Sequence, residues 1–372
     1  MMKLDAIINK ALGLKFLSLN EAVLLYTRLS TSELMWLAHE IRKIKVPGDE
    51  VGWIIDRNIN ITNVCSARCR FCNFHRVPDH KEAFITSPDE YKEKIIELFK
   101  LGGEQVLLQG GLHPQLGLAE YSGLFRTLKA TFPDLKLHAL GPPEIHFLAR
   151  KEKKSYREIL VALMEAGLDS LPGAGAEILC DEVRKKISGG KCGSGEWLDV
   201  MRVAHKLNLP TSATMMYGHI ETMEHRIEHL IKIRDLQAEK PEGAHGFVTF
   251  VPWPFQAEDT RLSEIFPGDY SLNSLEYIRL LSISRIVLSN IGHIQASWLT
   301  VGLPTAQLCL HGGADDLGSI MIEENVVSKA GASFRTDAEG ITRAISEAGF
   351  RPRFRNQKYE TMNYAKQSKD YS

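Results

Sequence analysis

The chain has 372 residues, of which 44% are hydrophobic and 24% charged, an ordinary globular composition. Its 45 basic and 46 acidic residues nearly cancel, leaving a formal charge of −1 and no basic excess for nucleic acid or an anionic membrane surface. The N-terminal apolar residues are interrupted by Lys3, Asp5, Lys10 and Lys15, and no uncharged apolar stretch is long enough to span a bilayer, so neither a secretory signal nor a membrane insertion is expected.

Residues 1 to 48 read as a helical N-terminal extension. The stretch from 19 to 45 has helical periodicity broken at "STSE", where Ser30 to Ser32 offer N-cap chemistry. From residue 51 an alternation begins. "VGWIIDRNINI" is strand-like, and "SPDEYKEKIIELFKLGG" is a capped helix stopped by glycine. "QVLLQGG", "LKLHALGP", "SLPGAGAE", "TSATMMYGH" and "GFVTFVPW" then read as strands, each followed by a helical stretch. "HIQASWLTVG" and "SIMI" offer two further strands. Repeated βα units predict an α/β fold with a parallel sheet, a complete or partial (β/α)8 TIM-type barrel over residues 49 to 331. A doubly wound open sheet is the rival, but no G-x-G-x-x-G follows the first strand. Residues 332 to 372 form a C-terminal extension with a polar, frayed tail. In a barrel the polar or glycine-rich strand endings "DRNINITNVC", "QGGLHP", "GAGAE", "YGHIET" and "FVPWPF" converge on one mouth, where active sites sit.

Three of the six cysteines, Cys65, Cys69 and Cys72, crowd into "CSARCRFC" as C-x3-C-x2-C. Clustered, uneven cysteines do not read as a disulfide framework, and reduced thiols in a cytoplasmic protein are expected. Their spacing also fits one face of a core helix, but Asn63, Ser66, Arg68, Arg70 and Asn73 make poor core flanks. Zinc with His75 as fourth ligand is a second reading, although structural zinc commonly takes two separated ligand pairs. Redox chemistry at Cys69 and Cys72 would leave Cys65 over. An electron-transfer iron–sulfur centre normally uses four cysteines. The remaining reading uses the shortage: three thiolates hold three irons of a [4Fe-4S] cluster, and the fourth iron is open to chelate S-adenosylmethionine. Cys180, Cys192 and Cys309 are scattered and take no ligand role. Cys192 lies in the glycine-rich stretch 189 to 195, expected to be a flexible loop outside the cysteine motif with an accessible thiol.

Other residues fall at predicted strand ends. His113, His219 and Glu221 are candidates for moving protons, and each also reads as a hydrogen-bonded scaffold residue. Asp56 and Asn58 are further polar candidates for substrate binding. Trp253 and Phe255 either wall an aromatic pocket or belong to the core. Gly110 and Gly111 either admit a ligand close to the backbone or make a tight βα turn. Glu177 either accepts hydrogen bonds from a ligand or favours a helix N-terminus.

The cysteine motif, with Phe71 as the aromatic before its last cysteine, resembles the radical S-adenosylmethionine superfamily. The ordered set "DRNINITNVC", "LLQGGLHP", "LPGAGAEIL", "TMMYGHIET", "FVPWPFQ" and "GSIMIEENVVSKAG" resembles, more narrowly, the cyclic dehypoxanthinyl futalosine synthase family of the futalosine route to menaquinone. The resemblance implies a [4Fe-4S] cluster on Cys65, Cys69 and Cys72. It implies S-adenosylmethionine held near Phe71, Gln109, Gly110, Gly111 and Glu177, with Gln109-Gly110-Gly111 standing where many members have Gly-Gly-Glu. It further implies dehypoxanthine futalosine as small-molecule substrate and a low-potential electron donor such as flavodoxin or ferredoxin. The implied reaction is radical abstraction of the ribose C4′ hydrogen, followed by ring closure onto the benzoate-type ring. Aminofutalosine synthase and the deazaflavin (FO) synthase subunits share the cluster motif and are the alternatives on the same scaffold. A zinc-stabilised, non-catalytic barrel and a barrel hydrolase using His219 and Glu221 are the alternatives from other classes.

Overall fold

The computed structural model of the chain describes residues 4 to 364 except 272, 321 and 324 to 333. The first predicted strand is divided at Ile55 into β1 (Glu50–Ile54) and β2 (Asp56–Asn60). There follow β3 (Gln105–Gln109), β4 (Lys136–Ala139), β5 (Leu168–Ser170), β6 (Thr211–Tyr217), β7 (Phe247–Pro254), β8 (His293–Ile294), β9 (Asp316–Ser319) and β10 (Arg351–Phe354).

Every pairing between these strands is parallel. Hydrogen bonds run β2-β3-β4-β5 and β6-β7-β8, and β1 lies between β9 and β10. Single bridges join the ribbons, from Leu171 to Thr211 between β5 and β6 and from Gln295 to Asp316 between β8 and β9. Since β1 runs directly into β2, the pairings return to their starting strand. Eight strand positions thus make the (β/α)8 ring, and β10 is added outside it along β1, with Glu50 opposite Arg351 and Trp53 opposite Phe354.

β6 is buried at every position, and the hydroxyls it carries are hydrogen-bonded: Thr211 to Gly246 O, Thr214 to Gly173 O, and Ser212 accepting the Gly173 amide. Helices Leu19–Arg28, Thr31–Lys45, Pro88–Lys100 and Tyr156–Ala166 all start on Ser-x-x-Glu capping boxes, with Ser18, Ser30, Ser87 and Ser155 as N-caps. The N-terminal helices pack on Ser274–Val287, and their apolar residues join the barrel's own core. Arg42, fully buried, ties them to the barrel by donating to the carbonyls of Ala314, Gly48 and Glu50.

The last predicted strands are shorter than expected. "HIQASWLTVG" keeps only the two residues of β8 before a helical turn at Trp298–Val301, where the Trp298 indole N–H is fixed on the Ser319 carbonyl. β9 ends at Ser319, ahead of most of "SIMI", whose Met321 lies outside the described residues, as does much of "GSIMIEENVVSKAG". The tip of the C-terminal tail also lies outside them. Several helices escaped the periodicity, among them Pro142–Glu152, which begins on a double proline, the eight-residue Asp181–Ser188 and Leu303–Leu310, and Ala338–Glu347 in the C-terminal extension. No helix among the described residues is long and apolar enough to cross a membrane.

Asp315 anchors β8 and β9 to the outer layer. Its carboxylate, fully buried, takes Arg285 and His293 side chains and the Ile294 amide. Burial alone would raise its pKa, but Arg285 and His293 outweigh this and hold it down at about 2 from an ordinary 3.8. A depressed carboxyl contributes stability above its unfolded pKa and loses it as pH falls toward the folded one. Asp315→Ala is expected to lower the unfolding free energy by about 3–5 kcal/mol in urea titration, because Arg285 is left buried without its counterion. Acidification from pH 4 toward pH 2 should narrow the gap to wild type.

Candidate active site

Cys65, Cys69 and Cys72 lie on the loop that leaves β2, on the wall of a cavity of about 440 Å³ within the barrel. Each turn of this loop is held by backbone. Gly111 N–H donates to Thr62 O, Ser66 N–H to Leu112 O, and Cys65 N–H to Arg76 O. The Leu112 amide points at Cys65 Sγ from 3.3 Å, a donor that suits a thiolate. Two glycines set how close other segments come. A Cβ on Gly111 would lie 2.2 Å from Val64 O and 2.7 Å from Cys65 Cβ. One on Gly190 would lie 2.3 Å from Ala67 O. The cysteine loop is therefore clasped between the end of β3 and the turn after helix Asp181–Ser188.

The glycine-rich stretch is thus not a free loop beyond the motif, as its composition suggested. Arg184, buried, fastens it by donating to the carbonyls of Ala176, Gly175 and Cys192. Arg70 of the cysteine loop donates to Ile187 and Lys186 carbonyls. Cys192 is buried rather than accessible, and burial pushes its thiol up to about 11. Lys191 reaches inward to pair with Glu177 at 2.7 Å and lies 5.2 Å from the centre of the Phe71 ring. Burial by itself would lower the Lys191 pKa, but Cys69 and Glu177 more than offset it and hold the ammonium charged. Burial likewise pushes the Cys69 thiol up to about 12, with Lys191 opposing. A cation beside three thiols is the countercharge that a cluster on three thiolates needs, so the donor set fits that group. Among the described residues no three His, Cys, Asp or Glu side chains converge as ligands of a single metal ion would. His75 keeps Nδ1 on the Cys72 carbonyl at 2.8 Å.

Phe71, Gln109, Gly110, Gly111 and Glu177 share this cavity with the cysteines, as do Asp56, Asn58, Trp253 and Phe255. Glu177 adopts φ +44°, a left-handed backbone costly for a residue with a Cβ and characteristic of sites under functional constraint. His113, His219 and Glu221 do not line the cavity. After β6 the chain turns away at Gly218 toward helix Met223–Ala238. Glu221 holds that turn by accepting the Gly218 and His219 amides and Arg226 Nε. Burial opposes its charge, but His219 and Arg226 hold its pKa down at about 2, which makes it a poor proton carrier near neutrality. Buried His113 accepts the Gln115 amide on Nδ1, and burial lowers its pKa.

Among the cavity residues that sequence reasoning missed, Lys191 and Glu144 lie near the cysteine end. Lys191 sat in a stretch read as flexible. Glu144, in the first turn of helix Pro142–Glu152, was hidden because that helix was not recognised. Its carboxyl is pushed up to about 7 by burial, partly offset by Lys191 and by the amides of Gly141 and Gly110. The acidic residue following "GPP" was the available signal.

Residues 59–233 match the model of the radical SAM superfamily, and residues 244–368 match the CofH/MqnC C-terminal region. The chain is similar to cyclic dehypoxanthine futalosine synthase of Streptomyces coelicolor, 40% identical over 360 residues that cover 96% of this chain and 88% of the other. It is 37% identical to the enzyme of the same name from Halalkalibacterium halodurans, over 96% of this chain and 95% of the other. It is also 37% identical to a 5-amino-6-(D-ribitylamino)uracil–L-tyrosine 4-hydroxyphenyl transferase of Methanopyrus kandleri, over 90% of both chains. Among solved structures, methylornithine synthase (PylB) aligns with TM-score 0.68 at 18% identity over 94% of this chain and 98% of that one. The hydrogenase maturase HydG aligns with TM-score 0.71 at 14% identity over 96% of this chain and 76% of that one.

Proposed function

The chain belongs to the radical SAM family that holds the cyclic dehypoxanthine futalosine synthases, and we propose that it cyclises dehypoxanthine futalosine in menaquinone biosynthesis. The observation that carries this reading is the match to two such synthases over 96% of the chain, from the N-terminal helices through the C-terminal region.

Cys65, Cys69 and Cys72 would hold a [4Fe-4S] cluster, with Lys191 as buried countercharge. Gln109, Gly110, Gly111 and Glu177 edge the same end of the cavity and would bind S-adenosylmethionine by its amino-acid and ribose groups. When bound, the cluster and S-adenosylmethionine would supply a radical able to take the C4′ hydrogen of the substrate ribose.

The protein's own work is confinement and placement. The inward residues of β2, Asp56, Asn58 and Asn60, make a polar stripe down the barrel, which suits a hydroxylated ligand. Asn58 Oδ1 is buried and has no hydrogen-bond partner among the described residues, so a ligand hydroxyl is its natural donor. Trp253 and Phe255 wall the aromatic part of the substrate. With His113, His219 and Glu221 away from the wall, Glu144 is the cavity carboxyl best matched to accept a proton near neutral pH. A low-potential flavodoxin or ferredoxin would supply the priming electron.

The transferase relatives favour a second reading, joining L-tyrosine to 5-amino-6-(D-ribitylamino)uracil. Mass spectrometry separates the two. Anaerobically reconstituted protein with S-adenosylmethionine and a chemical reductant should convert dehypoxanthine futalosine into a product lighter by two hydrogens. Methionine and 5′-deoxyadenosine should form one-for-one with it. Product from tyrosine and the ribitylaminouracil, with none from dehypoxanthine futalosine, would assign the transferase activity instead.

A further inference from the structure

The C-terminal segment closes the end of the barrel opposite the cysteines. β10 lies along β1, the N-terminal half of the first barrel strand, and the chain then turns inward. Arg355 N–H donates to Trp53 O, and the side chains of Arg355 and Gln357 form part of the cavity wall. β2 rises roughly 13 Å from Asp56, beside this floor, to Asn60, before the cysteine loop begins.

Arg355 is built as a recognition group. Its Nε and Nη2 grip both oxygens of Asp316, which does not itself line the cavity. The Tyr359 ring lies 3.9 Å from the guanidinium carbon and stacks in turn on His293 at 3.7 Å. A third N–H goes to Asn356 O, so two of the five N–H groups of the fork are unengaged among the described residues. Gln357 accepts Gln105 Nε2 at 3.2 Å, while among the described residues its own amide nitrogen meets only His138 Nε2 at 3.5 Å.

The charges on the wall narrow the choice of ligand. Lys191 and Arg355 are its Lys and Arg residues, and Lys191 is taken up by Glu177 at the cysteine end. Burial keeps His138 uncharged, lowering its pKa to about 3, and pushes the Asp56 carboxyl above its ordinary range. The far end of the cavity therefore offers the Arg355 guanidinium, its charge shared with Asp316 behind it and two of its N–H groups left over, beside the Gln357 amide and an uncharged His138. That arrangement recognises a carboxylate.

We propose that Arg355, with Gln357 beside it, binds the carboxylate on the aromatic ring of the substrate, making the C-terminal segment 351 to 359 part of the substrate site. The proposal rests on the cyclase reading above. In that reading the ribose C4′ must lie at the cysteine end, which leaves the benzoate end to point down the barrel toward Arg355.

The alternative is that Arg355 only anchors the segment through Asp316, and a pairing experiment distinguishes them. Wild type, Arg355→Lys and Arg355→Gln are each assayed with dehypoxanthine futalosine and with its carboxylate methyl ester, and kcat/KM is compared. Wild type should prefer the acid by about a hundredfold, the size expected for a charge-assisted contact made to one and not the other. The acid-to-ester ratio should fall to within a few-fold of one in Arg355→Gln and to an intermediate value in Arg355→Lys, which keeps the charge without the fork. An anchoring role would lower kcat/KM for both compounds alike and leave the ratio where it was, which overturns the proposal. Should Arg355→Gln fail to fold, Arg355→Lys carries the same comparison. Turnover of both compounds by wild type without discrimination overturns the proposal alone, whereas turnover of neither overturns the cyclase reading with it.

Discussion

Alanine in place of Cys69 is expected to abolish turnover and leave the barrel folded. Cys69 is buried at the centre of the motif. Deleting one sulfur there costs little packing, since its neighbours in that small cluster are Ala67, Leu112 and the other two cysteines with Phe71 and Phe147. The loss falls on the bound cofactor, which carries the chemistry no side chain here can replace. Product formation should drop by at least about a thousandfold, with iron bound per chain reduced and thermal unfolding within a few degrees of wild type. Cys309 provides the contrast. It is fully buried in the outer layer, far from the motif in the fold, and burial raises its pKa strongly. Cys309→Ala should lose about 1 kcal/mol of stability and keep its iron and its rate. Full turnover by Cys69→Ala would remove the cluster from the account.

Gly111→Ala should lower turnover by about a hundredfold without touching a sulfur. The added methyl would meet Val64 O at 2.2 Å and Cys65 Cβ at 2.7 Å, and backbone on both sides cannot step aside as a flexible side chain can. Relief requires the cysteine loop to move away from the end of β3, which breaks the Gly111 to Thr62 and Leu112 to Cys65 contacts. A displacement of about 1 Å at a positioned reactive group costs on the order of a hundredfold in rate. Iron content after reconstitution should fall with it. Gly123→Ala is the control. Nothing lies within 4 Å of its would-be Cβ in the middle of helix Leu118–Thr131, so helix propensity should stabilise it by about 0.5–1 kcal/mol with activity unchanged. Equal activity in Gly111→Ala and wild type would mean that the close approach of these two segments does not position the cysteines.

Much of this was legible in the sequence because the signals were local. The N-cap chemistry at Ser30 and the capped helix opening at "SPDEYKEK" were local signals the structure bears out, and Asp56 and Asn58 stood out as polar residues of the first strand. The C-x3-C-x2-C motif singled out three cysteines that do line the cavity, and Gln109, Gly110, Gly111 and Glu177 line it with them because barrel strand ends converge. What stayed hidden depended on pairing across long separations. Lys191 belongs to the site because Arg184 and Gly190 press its turn against the cysteine loop, contacts that no periodicity encodes. Arg355 lies almost 300 residues from the cysteines and enters the cavity through the parallel pairing of β10 with β1. His219 and Glu221 carried the opposite error. They follow a true barrel strand, but Gly218 turns the chain outward there, and a strand end alone does not say which side chains face in.

The reading as a whole requires that three thiolates leave one iron of the cluster free for S-adenosylmethionine. Electron paramagnetic resonance of the reconstituted, reduced protein tests this directly, using cofactor isotopically labelled in its amine and carboxylate. Addition of the labelled compound should change the cluster signal and produce hyperfine coupling from both groups. A spectrum unchanged by saturating S-adenosylmethionine, with no coupling to either label, would contradict the account.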